Sequence, residues 1–210
     1  MTSWVVATRS RGKLAELLPI LAAHGVTALS LDDAGATAHP DEDGIEVHDS
    51  FESNALAKAR YFAARSGRPC LADDSGLCID ALDGAPGVRS RRFAADIGHA
   101  AAQGCDEDTA NNEAMLDACW DSGRAPPWPA HYACAAAFCD GVRELVVMAR
   151  TDGVIMPERD GTGGFGYDPF FISNDLGMSF AQGTREAKAR VSHRGRAFAA
   201  LLARLGIRAT

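Results

Sequence analysis

The chain has 210 residues, 47% of them apolar and 23% charged, with a formal net charge of −7. That length suits one domain that needs no disulfide or structural metal, and the acidic balance argues against polymeric nucleic acid, which needs a broad basic surface. No run approaches the ~18 consecutive apolar residues of a membrane span, and the start, Met1-Thr2-Ser3-Trp4-Val5-Val6, lacks the basic and long apolar stretches of a signal peptide, so a cytoplasmic protein without membrane partners is expected.

An apolar strand is predicted over Trp4 to Thr8, then a basic loop, Arg9 to Lys13. Leu14, Leu17, Leu18 and Leu21 repeat at helical spacing, with Pro19 inside the pattern, which predicts a short or kinked helix. Residues 32–49 are acidic and turn-rich. A helix is expected from about Asp49, whose spacing to Glu52 fits a capping box, with Phe51, Ala55, Ala59 and Phe62 as its apolar stripe and Asn54 and Lys58 on another face. Pro69 to Ala72 reads as a short buried strand entering Asp73-Asp74-Ser75-Gly76, and residues 80–105 read mainly as loop. A helix around Asp108 to Trp120 follows. Asp140-Gly141 then joins two strands, His131 to Cys139 and Val142 to Thr151, in the clearest hairpin signal of the chain. The last helix spans about Ser192 to Leu205, with Gly206 as its cap. Strands and helices mix without strict alternation, which predicts an α/β fold with a mixed, partly antiparallel sheet and flanking helices.

Five segments are too polar, too glycine-rich or too charged for their positions. Thr8-Arg9-Ser10-Arg11-Gly12-Lys13 joins a strand to a helix start, where unpaired amides favour phosphate; the alternative is a solvated turn. Glu46 precedes the helix carrying Asn54 and Lys58 and is either a ligand carboxylate or plain surface. Asp73 and Asp74 at the end of a buried strand need a cation or donors to compensate them; magnesium, or backbone amides in a turn, would serve. Gly161-Thr162-Gly163-Gly164-Phe165-Gly166-Tyr167-Asp168-Pro169 contains G-x-G-x-x-G but is followed by a strand-like Phe170-Phe171-Ile172, which excludes a dinucleotide fold. Its glycines around an aromatic suggest backbone approaching a flat ligand, or else a surface loop. Lys188 and Ser192-His193-Arg194-Gly195 place cations at a helix start, against its dipole. Cys70, Cys78, Cys105, Cys119, Cys134 and Cys139 form no C-x-x-C pair, so buried, reduced thiols are expected, with a structural zinc site as the alternative.

Taken in order, these segments resemble the inosine/xanthosine triphosphate pyrophosphatases. The most specific pieces are Ala72-Asp73-Asp74-Ser75-Gly76-Leu77, Gly84-Ala85-Pro86-Gly87, Gly164-Phe165-Gly166-Tyr167-Asp168-Pro169 and Ser192-His193-Arg194-Gly195, with Ser53 to Arg60 matching an early helix. The resemblance spans nearly the whole chain, 1–210. It implies a single domain of two lobes around a cleft, a homodimer, and Mg²⁺-dependent cleavage of purine nucleoside triphosphates to monophosphate and pyrophosphate. It implies Glu46 and Asp74 as metal carboxylates and Asp74 as proton acceptor, supported by Asp73. Thr8 to Lys13, Asn54, Lys58, Ser75 and Lys188 are then substrate residues on the phosphate and sugar side. Phe165, Gly166, Tyr167, Asp168, His193 and Arg194 are those around the base. Three stretches depart from the family's pattern: Ser10 stands where Asn is usual, 47–50 lacks the usual Thr and Gly, and 95–108 is longer. Two other readings stay open, a nucleotide-binding regulator without turnover and a pyrophosphatase for other modified nucleotides.

Overall fold

The protein is described here by a computed structural model covering residues 3–100 and 104–208; within the long 95–108 stretch, 101–103 lie outside the described residues. Seven strands form one mixed sheet in the order β2-β1-β3-β4-β5-β6-β7, flanked by helices as the sequence predicts. The chain divides into two compact units, one made of residues up to 74, 134–149 and from 193 onward, the other of 75–133 and 150–192.

The first unit contains β1 (Trp4–Val6), α1 (Arg11–Ala23), β2 (Ala28–Leu29), α2 (Phe51–Ser66), the first half of β3 (Cys70–Ile79) and α6 (His193–Arg204). Strand β1 runs parallel to both β2 and β3, with Val5 opposite Cys70. Successive strand residues point to opposite faces. Val5, Ala7, Cys70, Ala72, Ala135 and Ala137 therefore share one face, and they form a buried cluster with Ala55, Ala59 and Phe62 of α2. The small residues on both surfaces let helix and sheet approach closely. Helices α1 and α6 pack on each other, with Leu17, Leu21, Phe198, Leu201 and Leu202 buried. Pro19 does not shorten α1, which runs 13 residues through it. Helix α2 starts one residue later than expected: Ser50, not Asp49, is its cap, accepting a hydrogen bond from the Ser53 amide at 3.2 Å.

The second unit holds the rest of β3, the early part of β4 (Trp128–Cys139), the later part of β5 (Glu144–Ile155), β6 (Phe171–Ser173) and β7 (Met178–Ser179). Its helices are α3 (Phe93–Asp96), α4 (Glu107–Asp121) and α5 (Arg185–Val191). Strands β5, β6 and β7 are antiparallel neighbours. Leu77, Ile79, Phe93, Met115, Trp128, Tyr132, Phe171 and Phe180 make its core. The hairpin lies where Asp140-Gly141 predicts it. All six cysteines are free, and all but Cys105 are buried. Burial pushes the Cys78 and Cys119 thiols up to about 11, which keeps them protonated.

Candidate functional site

The expected break between a strand and an acidic turn is absent. Strand β3 runs unbroken from Cys70 to Ile79, so Asp73 and Asp74 sit inside it and not at its end. The reason is local. Gly76 lets the strand pass against the 87–90 segment, where a Cβ would lie 2.1 Å from the Gly87 carbonyl oxygen, and the Leu77 amide donates to Ser90 Oγ at 2.9 Å. Inside a strand the two aspartates must face opposite ways.

Asp73 is fully buried. Its Oδ2 receives Lys13 Nζ of α1 at 3.1 Å and Arg194 Nε of α6 at 3.1 Å, so α1 and α6 lie on that face. Arg194 is 2% exposed and its Nη1 is also paired with Glu16. Burial pushes Asp73 toward its neutral form, but Lys13, Arg194 and Lys58 together outweigh it and hold the carboxyl well below the usual range. Burial opposes the Arg194 charge as well, and Asp73 and Glu16 more than restore it. These carboxylates account for a cation at the start of α6.

Asp74 faces α2. Its Oδ2 accepts from Asn54 Nδ2 at 3.0 Å. The same amide holds the 46–50 segment, since Asn54 Oδ1 accepts from the His48 amide at 2.9 Å. Lys58, one turn on and buried, donates to the Asp73 carbonyl at 2.9 Å and pairs with Glu46. Burial raises the Asp74 pKa; Lys13 and Lys58 pull it down, Glu46 pushes it up, and the net shift is upward. Glu46 goes the other way, because Lys58 overcomes its burial. The consecutive carboxylates Asp73 and Asp74 are thus shifted in opposite directions.

Glu46 and Asp74 lie close enough for each charge to bear on Asp74's titration, and they offer only carboxylate oxygens. No group of three or more His, Cys, Asp or Glu side chains forms a metal cage among the described residues. A two-carboxylate, all-oxygen set fits magnesium, which takes one or two carboxylates and completes its shell with water and phosphate oxygens, and does not fit zinc.

The Thr8–Lys13 segment divides. Lys13 reaches the carboxylates. Thr8 Oγ1 accepts from the Ser10 amide at 3.1 Å, and Ser10 Oγ caps α1 through the Lys13 amide at 3.3 Å. Arg11 and Gly12 lie in the first turn of α1, Arg11 exposed. Arg9 is held by groups of its own chain. Its guanidinium grips Glu42 through Nε at 3.1 Å and Nη2 at 2.8 Å, and reaches Asp32 and the Ala36 carbonyl. It straps the 32–44 segment that leads to Glu46.

In the second unit, Asp168 Oδ2 accepts from the Phe165 amide at 2.9 Å and pairs with Lys188 Nζ at 2.5 Å. Lys188 is buried, with its ammonium 5.2 Å from the Phe165 ring centroid and 5.1 Å from that of Phe180. Lys188 therefore groups with the Phe165–Asp168 loop. Tyr167 is buried and its hydroxyl donates to the Ser90 carbonyl at 2.7 Å. The glycines answer mostly to the chain's own packing and not to a ligand: a Cβ on Gly163 would meet the Ala181 carbonyl oxygen at 2.7 Å, and one on Gly164 would meet Asp168 Oδ2 at 2.1 Å. Ser75, half-buried, follows Asp74 in β3, and His193 is buried at the start of α6.

Residues 4–204 match the sequence profile of the Ham1 family. The chain belongs to the Ham1 family. It is 42% identical to a dITP/XTP pyrophosphatase of Geobacter sulfurreducens, over 98% of each chain. Among solved structures it is similar to a HAM1 protein from Coxiella burnetii, at TM-score 0.80 and 30% identity over 98% of this chain and 99% of that one. It is also similar to a nucleoside-triphosphatase / dITP/XTP pyrophosphatase from Mycobacterium abscessus, at TM-score 0.66 and 38% identity over 95% and 98%. Within this Ham1 family chain, the site residue that sequence reasoning missed is Glu16. The signal was available: Glu16 follows Lys13 by three on a helix, a same-face spacing, and a buried arginine needs more than one acceptor.

Proposed function

We propose that the protein hydrolyses non-standard purine nucleoside triphosphates, ITP, dITP and XTP, to the nucleoside monophosphate and pyrophosphate, with magnesium. Family membership and the activities for which its relatives are named support the reaction class. The observation that carries the mechanism is the pair Asp73 and Asp74 on opposite faces of β3, Asp73 bound by Lys13 and Arg194 and Asp74 by Asn54, with Lys58 on the Asp73 carbonyl. Phosphoryl chemistry needs mostly positioning and charge neutralisation. Lys13 and Lys58 supply fixed positive charge for the phosphates and the leaving pyrophosphate. Asp74, with its pKa raised by burial, is a better proton acceptor for an attacking water than an ordinary carboxylate. Asp73 holds Lys13 and Arg194 in place. Glu46 and Asp74 would hold magnesium, which supplies neutralisation of phosphate charge and a more acidic water. Phe165 presents a ring for stacking on the base. The family resemblance supports a role there for Gly166, Tyr167, Asp168, His193 and Arg194 as well.

The same reading includes a homodimer acting in the cytoplasm. The homodimer rests on the resemblance. No described helix is long and apolar enough to cross a membrane, and the location, like the homodimer, is part of the proposal. Pyrophosphate release from ITP, dITP, XTP, GTP and ATP, with magnesium and with excess chelator, tests the reading. Turnover of ITP, dITP and XTP should exceed that of GTP and ATP by on the order of a hundredfold or more and vanish in chelator. Tight binding without pyrophosphate release would make the protein a nucleotide-binding regulator.

A further inference from the structure

The Phe165–Asp168 loop is fixed from two directions, and only one of them is packing. The glycines before Phe165 are wedged against Ala181 and Asp168. Gly166 is different. It has φ +60 and open space around the position of a Cβ, so nothing steric keeps it where it is. Both of its backbone polar atoms are instead taken by one helix. Its amide donates to Asp108 Oδ2 at 2.8 Å, and its carbonyl accepts from Asn112 Nδ2 at 3.1 Å. Asp108 and Asn112 are four apart on α4, so they share a face.

Helix α4 is itself firmly held. Asp106 caps it through the Thr109 amide at 2.7 Å, and Met115 and Cys119 anchor it in the core. Asn111, beside Asn112, donates to the Arg91 carbonyl at 2.7 Å and accepts from the Ala94 amide at 2.9 Å. Tyr167 closes the frame through Ser90. The loop, the 90–94 segment and α4 are thus linked by side-chain to backbone bonds, and the position of Phe165 and Tyr167 depends on α4.

We propose that Asp108 and Asn112 are positioning residues for base selection: they clamp Gly166 and so set the geometry of the loop that receives the purine. This rests on the functional reading above. Asp108 is exposed and Asn112 is buried, its Oδ1 having no hydrogen-bond partner among the described residues. Asp108→Ala therefore leaves the core alone. Asn112→Leu keeps the branched skeleton of the side chain and removes an amide whose oxygen has no partner among the described residues; its urea midpoint is measured to show that it is folded before its kinetics are read.

The test combines kinetics with hydrogen exchange. In Asp108→Ala and Asn112→Leu, KM for dITP should rise roughly three- to tenfold, the range expected for one lost hydrogen bond. The dITP to ATP ratio of kcat/KM should fall by the same factor, while kcat stays within about twofold, as expected when binding geometry and not chemistry is lost. Asp108→Asn keeps an acceptor oxygen and should restore wild-type values. Amides of 165–168 should exchange faster in the two clamp variants whether or not substrate is present. Unchanged KM and selectivity in folded Asp108→Ala, with exchange accelerated, would overturn the positioning role. Unchanged exchange would overturn the clamp. A wild type that releases no pyrophosphate would overturn the functional reading and base selection with it, leaving exchange to decide the clamp alone.

Discussion

The two faces of β3 in the first unit treat neighbouring aspartates in opposite ways. On the α1 and α6 face, Asp73 is fully buried and engaged by Lys13 and Arg194, with Glu16 behind the arginine. On the α2 face, Asp74 accepts one amide bond from Asn54 and lies near Glu46, whose charge opposes its own ionisation. The pleat alone separates them, because consecutive side chains cannot share a face. The contrast shows how one strand supplies both an anchor and a reactive group: cations surround one carboxylate and hold it ionised, while burial and a second carboxylate raise the pKa of the other above its ordinary value.

The largest effect that would sharpen this contrast comes from Asp74→Asn. The amide keeps the shape but accepts no proton, so pyrophosphate release should fall by about 10²–10⁴-fold. Stability should hold or rise, because an ionised Asp74 is unfavourable in the fold. Near-normal turnover would move the acceptor role to Asp73 and break the comparison. Asp73→Asn should act mainly on stability. Removing the carboxylate leaves the half-buried Lys13 without this ion pair and the buried Arg194 with Glu16 alone, a loss of up to about 3–5 kcal/mol, readable as a lower midpoint in urea or a lower Tm. An unfolding curve like the wild type's would show that the α1 and α6 face needs no anchor. The smallest expected effect is that of Ser10→Ala. Loss of the α1 cap should cost about 1 kcal/mol, while Ser10→Asn, restoring the residue usual in the family, keeps the cap. A much larger activity loss in Ser10→Ala than its stability loss explains would give the hydroxyl a substrate role as well.

Sequence reasoning located the chemistry better than its geometry. The family and the polar segments were legible because residues such as Asp73, Asp74, Lys58 and Lys188 are costly in apolar surroundings and stand out there. The hairpin at Asp140-Gly141 was legible because the turn is local. The placement of Asp73 and Asp74 on opposite faces of one strand was not, because it depends on β3 continuing through an acidic, glycine-containing stretch, and that rests on Ser90, 13 residues away from Leu77. The strap made by Arg9 was not legible for a similar reason. Its partner Glu42 lies 33 residues away, and nothing local distinguishes a strap from a phosphate ligand. The glycines near Phe165 suggested a ligand, but it is Ala181 and Asp168 that demand them, and their approach is visible only after folding.

The opposed states have opposite consequences for stability. Asp73 has its folded pKa below the ordinary 3.8, so its contribution is complete above that pH and is lost as pH falls through the lowered value. Asp74 has its folded pKa above 3.8, so ionising it costs stability, and that cost disappears as pH falls through the raised value. The most direct test follows the two carboxyl carbons by NMR as metal-free protein is titrated with acid. The expected result is an Asp74 midpoint above 3.8, with Asp73 still ionised where Asp74 has taken its proton. Midpoints in the reverse order, or the same for both residues, would contradict the assignment of Asp74 as acceptor and Asp73 as anchor.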